Sequence, residues 1–295
     1  IMLAKIVRGP LPRLASRALS LAPAEAYAVA AYRRIEGASE AQRAAWDDAD
    51  ATLHAKMREH VPAALQHNGE EAFDQHLVGV QSVLRAWGAP EHLTNAGLFH
   101  SIYGTEGFQG FALPLAHRVE IAALVGPRAE RLAWIFCMVD RLSVDETVLP
   151  SLGARPPAEY VDAPPVLRAR AELGAFAMPL KSHAEWLDFL TLSLADWLEQ
   201  VEGTATKAVA RPVGDGVLWR QGEAWSYRRE AYATMASILG EHGVAAAPAM
   251  HAAVYSREPH ATRALVQPIT PPMSVAAVAA ADAIASAELD FGDDM

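Results

Sequence analysis

Apolar residues recur along this chain with the period of an α-helix, and the two-residue alternation of strands is nearly absent. Helices are predicted over 23–35, 40–65, 71–88, 91–103, 114–142, 183–201, 223–241 and 273–288. The clearest stripe is Phe73, Leu77, Val80, Leu84 and Trp87, which fall on one continuous helical face. Three stretches interrupt this pattern. PSLGARPPAEYVDAPP (150–165) is proline-rich, GTATKAVARPVGDG (203–216) is a glycine-rich connector, and QPITPP (267–272) precedes the last helix. The expected fold is all-α, a helical bundle with additional C-terminal helices. Its expected divisions are N-terminal helices over 1–65, a helical domain over 66–203, and a C-terminal helical appendage packing on it over 204–295.

Composition narrows the function classes. With 52% apolar and 20% charged residues over 295 positions, the chain has ample material for a buried core. A net charge of −10 argues against nucleic acid as a partner, because phosphate backbones are met by basic surfaces. No window approaches the ~20 apolar residues of a membrane span. The single cysteine, Cys137, lies in the apolar run LAWIFCMV and reads as a buried structural thiol, with no disulfide or thiolate cluster available to it. Lys5, Arg8, Arg13 and Arg17 precede the first acid, Glu25, a composition shared by transit peptides and by ordinary basic first helices. A cytoplasmic protein is the first expectation and organelle targeting the second.

Chemistry concentrates in two successive helices. His76 flanks the apolar stripe of 71–88, and Ala96, Phe99, His100 and Tyr103 share a face in the next. Two inward histidines suggest a metal site, although a single histidine beside an apolar face is more often a hydrogen-bonded core residue. Asp140 in FCMVDRLS and Asp196 in LTLSLADWLEQ are both candidates for the completing carboxylate. An acid in such apolar surroundings needs a metal or an ionic partner, for example Arg141 beside Asp140. Ser101, Thr105 and Glu106 follow His100 as candidate catalytic residues, and Tyr103 as a substrate contact. His67 is a candidate phosphate contact or second-metal ligand, or else a surface histidine at a helix end. Arg228 and Arg229, set among Trp219, Trp225 and Tyr227, are candidates to clamp a phosphorylated or planar ligand, or to snorkel from an amphipathic helix.

NGEEAFDQHLVGVQSVLRAWGAPEHLTNAGLFHSIYGTE resembles the hydrolase domain of the stringent-response alarmone synthetase/hydrolases, a branch of the metal-dependent HD superfamily. His76 matches the family's first histidine, and His100, 24 residues later, matches the second. LPLAHRVEIAALVGPRAERLAWIFCMVDRL resembles the following helix, with Gly126 at its internal break, and LSLADWLEQ resembles the last metal-binding helix, with Asp196 in the ligand position. The likeness covers roughly residues 66–201. It implies an HD-domain-like bundle and one divalent ion, Mn²⁺ or Fe²⁺, held by His76, His100 and Asp196. AGLFHSIYGTE also looks like an uncharacterised family with the same wording. The departures are specific: Ser101 stands where the family has an aspartate ligand, and Gly104 and Thr105 stand where it has a glutamate–aspartate pair. Glu106, one step later, is the candidate displaced base.

Three functions follow as expectations. The first is a metal-dependent hydrolase of a phosphate ester or nucleotide-like small molecule. The second is a non-haem iron oxygenase, which uses two histidines and one carboxylate. The third is a non-catalytic protein that binds a small ligand on a degenerate HD scaffold.

Overall fold

The computed structural model describes residues 39–61, 73–108, 111–206, 209–210 and 217–264. The helices expected at 23–35 and 273–288, the basic N-terminal stretch and His67 lie outside them. Among the described residues the fold is all-α, with nine α-helices: α1 Glu40–His60, α2 Phe73–Ala86, α3 Glu91–Phe99, α4 Arg118–Val125, α5 Pro127–Met138, α6 Arg141–Val148, α7 His183–Thr206, α8 Arg229–Glu241 and α9 Ala246–Tyr255. Two short antiparallel hairpins accompany them, β1 Val166–Arg168 with β2 Ala177–Pro179, and β3 Val209–Ala210 with β4 Val217–Trp219. No described helix is long and apolar enough to cross a membrane.

The stripe on α2 is buried as expected, from Phe73 through Trp87. It packs chiefly against α3 and α7. The approach of α3 depends on Gly97, where a Cβ would come within 2.6 Å of Leu84 Cδ1. At Gly104 the chain takes φ +78°, and a side chain would also crowd Ala112 Cβ at 3.2 Å, so glycine ends the turn that follows His100.

The expected helix over 114–142 is broken twice. Gly126, with φ +91°, separates α4 from α5 at the anticipated break. The second break, at Val139 and Asp140, is made by a segment distant in sequence. Asp140 N–H donates to Arg168 O at 2.8 Å and Arg170 N–H donates to Met138 O at 2.9 Å, so backbone that periodicity assigns to a helix is drawn into pairing with the end of β1.

The proline-rich 150–165 segment is non-helical apart from 3₁₀ turns, and α7 follows it as the long central helix. The division expected at 203 falls inside α7. Helices α8 and α9 pack against α7 and against each other, and one apolar core extends from Met57 to Val254. Helix α9 has little amphipathic signal to announce it, since its sequence is alanine-rich on several faces. The aromatic seam is plain: Trp197 of α7 stacks on Tyr232 of α8 at 5.3 Å and donates its indole N–H to Tyr255 OH of α9 at 3.0 Å.

Candidate metal centre

Three helices converge at the bundle centre and each presents one polar atom. His76 Nε2 from α2 and His100 Nε2 from the end of α3 each lie 3.1 Å from Asp196 Oδ1 of α7. The two imidazole nitrogens stand 3.2 Å apart. All three side chains are buried, and among the described residues they form the group of potential ligands close enough to share one ion.

The outer faces of the rings fix what the inner faces offer. His100 Nδ1 lies 2.7 Å from Gly97 O, and a carbonyl only accepts, so Nδ1 carries hydrogen. His76 Nδ1 lies 2.6 Å from Glu199 Oε2, a buried carboxylate that likewise accepts. With both imidazoles neutral, each Nε2 is then a bare lone pair. Two lone pairs and a carboxylate oxygen therefore face one another at about van der Waals distance or closer. Such an arrangement is repulsive unless protons or a cation occupy its centre. A cation there pairs with an ionised Asp196. Burial opposes ionisation of Asp196, but when the two rings are protonated, hydrogen bonding and charge from His100 and His76 prevail and hold the carboxyl well below its usual range.

The triangle also passes a geometric test. Two ligand atoms ~2.1 Å from one ion stand ~3.0 Å apart at right angles and ~3.4 Å apart in a tetrahedron. Edges of 3.1, 3.1 and 3.2 Å fit one face of an octahedron more closely. The Nδ1–H···carboxylate and Nδ1–H···carbonyl bonds are the outer contacts that metal-bound histidines use to fix tautomer and orientation. Gln200 adds another, donating Nε2–H to Asp196 Oδ1 at 2.9 Å.

A narrow cavity of ≈ 30 Å³ opens beside Asp196. Its walls are Ser101, Thr105, Gly107 and Phe108 from the turn after α3, Phe136 and Arg141 from α5 and α6, Trp197 and Gln200 from α7, and Tyr227 and Tyr232. Ser101 thus lines the same cavity as Asp196. Thr105 is a wall residue too, but its hydroxyl accepts from Phe108 N–H at 3.0 Å and holds the turn.

The other expected site residues are engaged elsewhere. Asp140 caps α6, accepting from Leu142 N–H at 3.0 Å, and pairs with Arg168, so Asp196 alone supplies the carboxylate. Glu106 is buried but is absent from the cavity wall. Its Oε2 accepts from Arg141 N–H at 2.7 Å at the start of α6, and burial pushes its carboxyl up to about 7 against the opposing charge of Arg141. It positions the backbone of Arg141 and is not placed as a base. Tyr103 donates to Glu130 at 3.1 Å, in a buried cluster with Arg118. Arg228 is fully buried and spends its guanidinium on Asp145 and Tyr232, while Arg229 pairs with Glu258. Both guanidiniums are thus engaged by acids of the chain. Cys137 donates to His100 O at 3.0 Å, and burial raises its thiol to about 12, as a structural thiol requires.

Two residues escaped the sequence reading. Glu199 follows Asp196 by three positions on α7, the spacing that places both on one helical face, and this was the available signal. Arg141 was read only as a partner for Asp140, and no sequence signal turns its side chain into the cavity.

A family model described as a domain of unknown function (DUF6817) matches residues 56–141. That stretch carries His76, His100, Ser101 and Arg141 and ends before Asp196. No curated protein matches the chain, and no solved structure matches it.

Proposed function

We propose that this chain is a divalent-metal-dependent hydrolase of HD type, acting on a phosphate ester or nucleotide-like small molecule. The observation that carries the reading is the convergence of two imidazole lone pairs and one carboxylate oxygen within 3.2 Å, each ring oriented from behind by an acceptor. His76, His100 and Asp196 would hold one Mn²⁺ or Fe²⁺, which supplies an acidified water and polarises a phosphoryl oxygen when bound. The likeness of LSLADWLEQ and AGLFHS to HD motifs points the same way.

The residues of the chain have distinct tasks. Glu199 and Gly97 O orient the two imidazoles, and Gln200 steadies Asp196. Phe136, Trp197, Tyr227 and Tyr232 wall the cavity and restrict water to a few molecules. In hydrolysis the oxygen of one water bonds to phosphorus, the phosphorus–oxygen ester bond breaks, and a proton from that water ends on the departing alkoxide. The test is release of orthophosphate from a panel of monoesters and nucleotides by Mn²⁺-loaded protein. Metal-dependent release that Asp196→Asn abolishes is the expected result.

The near-octahedral triangle of two histidines and one carboxylate also favours a second reading, a mononuclear non-haem iron oxygenase. Loaded with Fe²⁺, such a protein consumes oxygen with its substrate and releases no phosphate. That outcome would replace the first reading by the second.

A further inference from the structure

Arg141 is the one cavity-wall residue among those described that carries a positive charge, and it stands out for what it lacks. It is 6% exposed, yet among the described residues no carboxylate lies within 4 Å of its guanidinium. Its described hydrogen bonds are made by the backbone: N–H donates to Glu106, and the carbonyl accepts from Arg228 Nη2 at 3.4 Å. Those bonds pin the residue at the first position of α6 and leave the side chain to lie over Phe136, 4.3 Å from the ring centroid. A guanidinium taken out of water normally has its charge answered by an acid or an oxyanion. The nearby acids Glu106 and Asp145 feel its charge through space, but their hydrogen bonds are made elsewhere. Asp145 is occupied by Arg228, Asp140 by Leu142 N–H and Arg168, and Glu106 by the Arg141 backbone.

We propose that Arg141 anchors an oxyanion of the ligand, the terminal phosphoryl group of a phosphate monoester, in the cavity it shares with Asp196. The inference rests on the hydrolase reading for its setting and adds the residue that selects the ligand. A guanidinium fork held over an aromatic ring can present parallel N–H donors to two oxygens of one group. A phosphoryl group has three non-bridging oxygens, enough to meet this fork on one side and the His76–His100–Asp196 centre on the other. A carboxylate has only two. The cavity of ≈ 30 Å³ is too narrow for a nucleobase or sugar ring, so the organic part of the ester would remain outside the wall and only the oxyanion end would approach Arg141.

Calorimetric titration of the full chain with orthophosphate, and separately with acetate, tests this in the wild type, Arg141→Gln and Arg141→Lys. Metal content and melting temperature are measured on each protein. Arg141→Gln is expected to weaken orthophosphate binding roughly tenfold to a hundredfold with bound metal unchanged, and Arg141→Lys to restore part of it. Unchanged phosphate affinity in either variant overturns the role of Arg141, and the lysine variant serves alone if the glutamine variant does not fold. Acetate binding as tightly as phosphate overturns the phosphoryl assignment. If the wild type takes up no metal, the hydrolase reading fails by itself. Orthophosphate binding to the metal-free chain that Arg141→Gln weakens then still supports the anchor, and absence of that binding overturns it.

Discussion

Two buried polar clusters each lend one residue to the cavity wall, Tyr232 and Asp196, and they are built on opposite principles. In the first, Arg228 and Asp145 meet through Nε at 2.9 and 3.1 Å, Tyr232 takes a further N–H at 3.1 Å, and charge and hydrogen bonds close within the protein. In the second, His76, His100 and Asp196 turn three acceptors towards one another and direct their donors outwards. The closed cluster is complete as the chain supplies it. The open one is complete only with a cation or protons added. Arg141 repeats the contrast within a single residue type: the Arg228 guanidinium bonds directly to an acid, whereas that of Arg141 feels Glu106 and Asp145 only through space. A buried polar group that lacks an internal partner is where a folded chain keeps a place for something else.

The largest effect expected from this contrast is on stability at the closed pair. Arg228→Ala leaves Asp145 buried without its counter-charge and should cost about 3–5 kcal/mol in denaturant unfolding, with metal binding retained in whatever protein stays folded. Loss of metal with no loss of stability would mean that the two clusters have been assigned the wrong way round. Glu106 comes next. Burial raises its carboxyl from 4.5 to about 7, so the folded chain binds this proton more tightly than the unfolded chain. Its contribution is therefore most favourable below about pH 4.5, declines between 4.5 and 7, and is flat above. The full change is ~3 kcal/mol at most. Glu106→Gln keeps an acceptor for Arg141 N–H and should flatten that part of the stability–pH curve; an unaltered slope would assign the titration to another group. The smallest expected effect lies behind the open centre. Glu199→Gln weakens the acceptor that orients His76 and should lower metal affinity roughly tenfold to a hundredfold, read by competition with a chelator, while the unfolding midpoint of the metal-free protein hardly moves.

Much of the scaffold was legible because helical periodicity is local. The α2 stripe carried His76 with it, and the apolar face ending at His100 placed the second histidine on the same interior. The choice between Asp140 and Asp196 was not legible, because it turns on a hydrogen bond between Asp140 N–H and Arg168 O, 28 residues away, that breaks the helix at Asp140. Tyr103, Arg228 and Arg229 stand in the sequence as candidate ligand contacts for a related reason. Each does meet a charged group, but that group is an internal acid 27, 83 or 29 residues distant. Sequence shows that a polar residue needs a partner and leaves open whether the partner is in the chain. Arg141 is the converse case: its neighbour in sequence looked sufficient, and the fold turned that neighbour away to cap α6.

The most direct test of the open centre is the metal content of the chain purified without chelator and then exposed to Mn²⁺ or Fe²⁺, compared with His100→Ala treated identically. One divalent ion per wild-type chain, with a raised melting temperature and no ion in a folded His100→Ala variant, is the predicted result. A wild type that takes up neither ion and melts at the same temperature with or without them would contradict it, and His76, His100 and Asp196 would then be a proton-sharing core cluster.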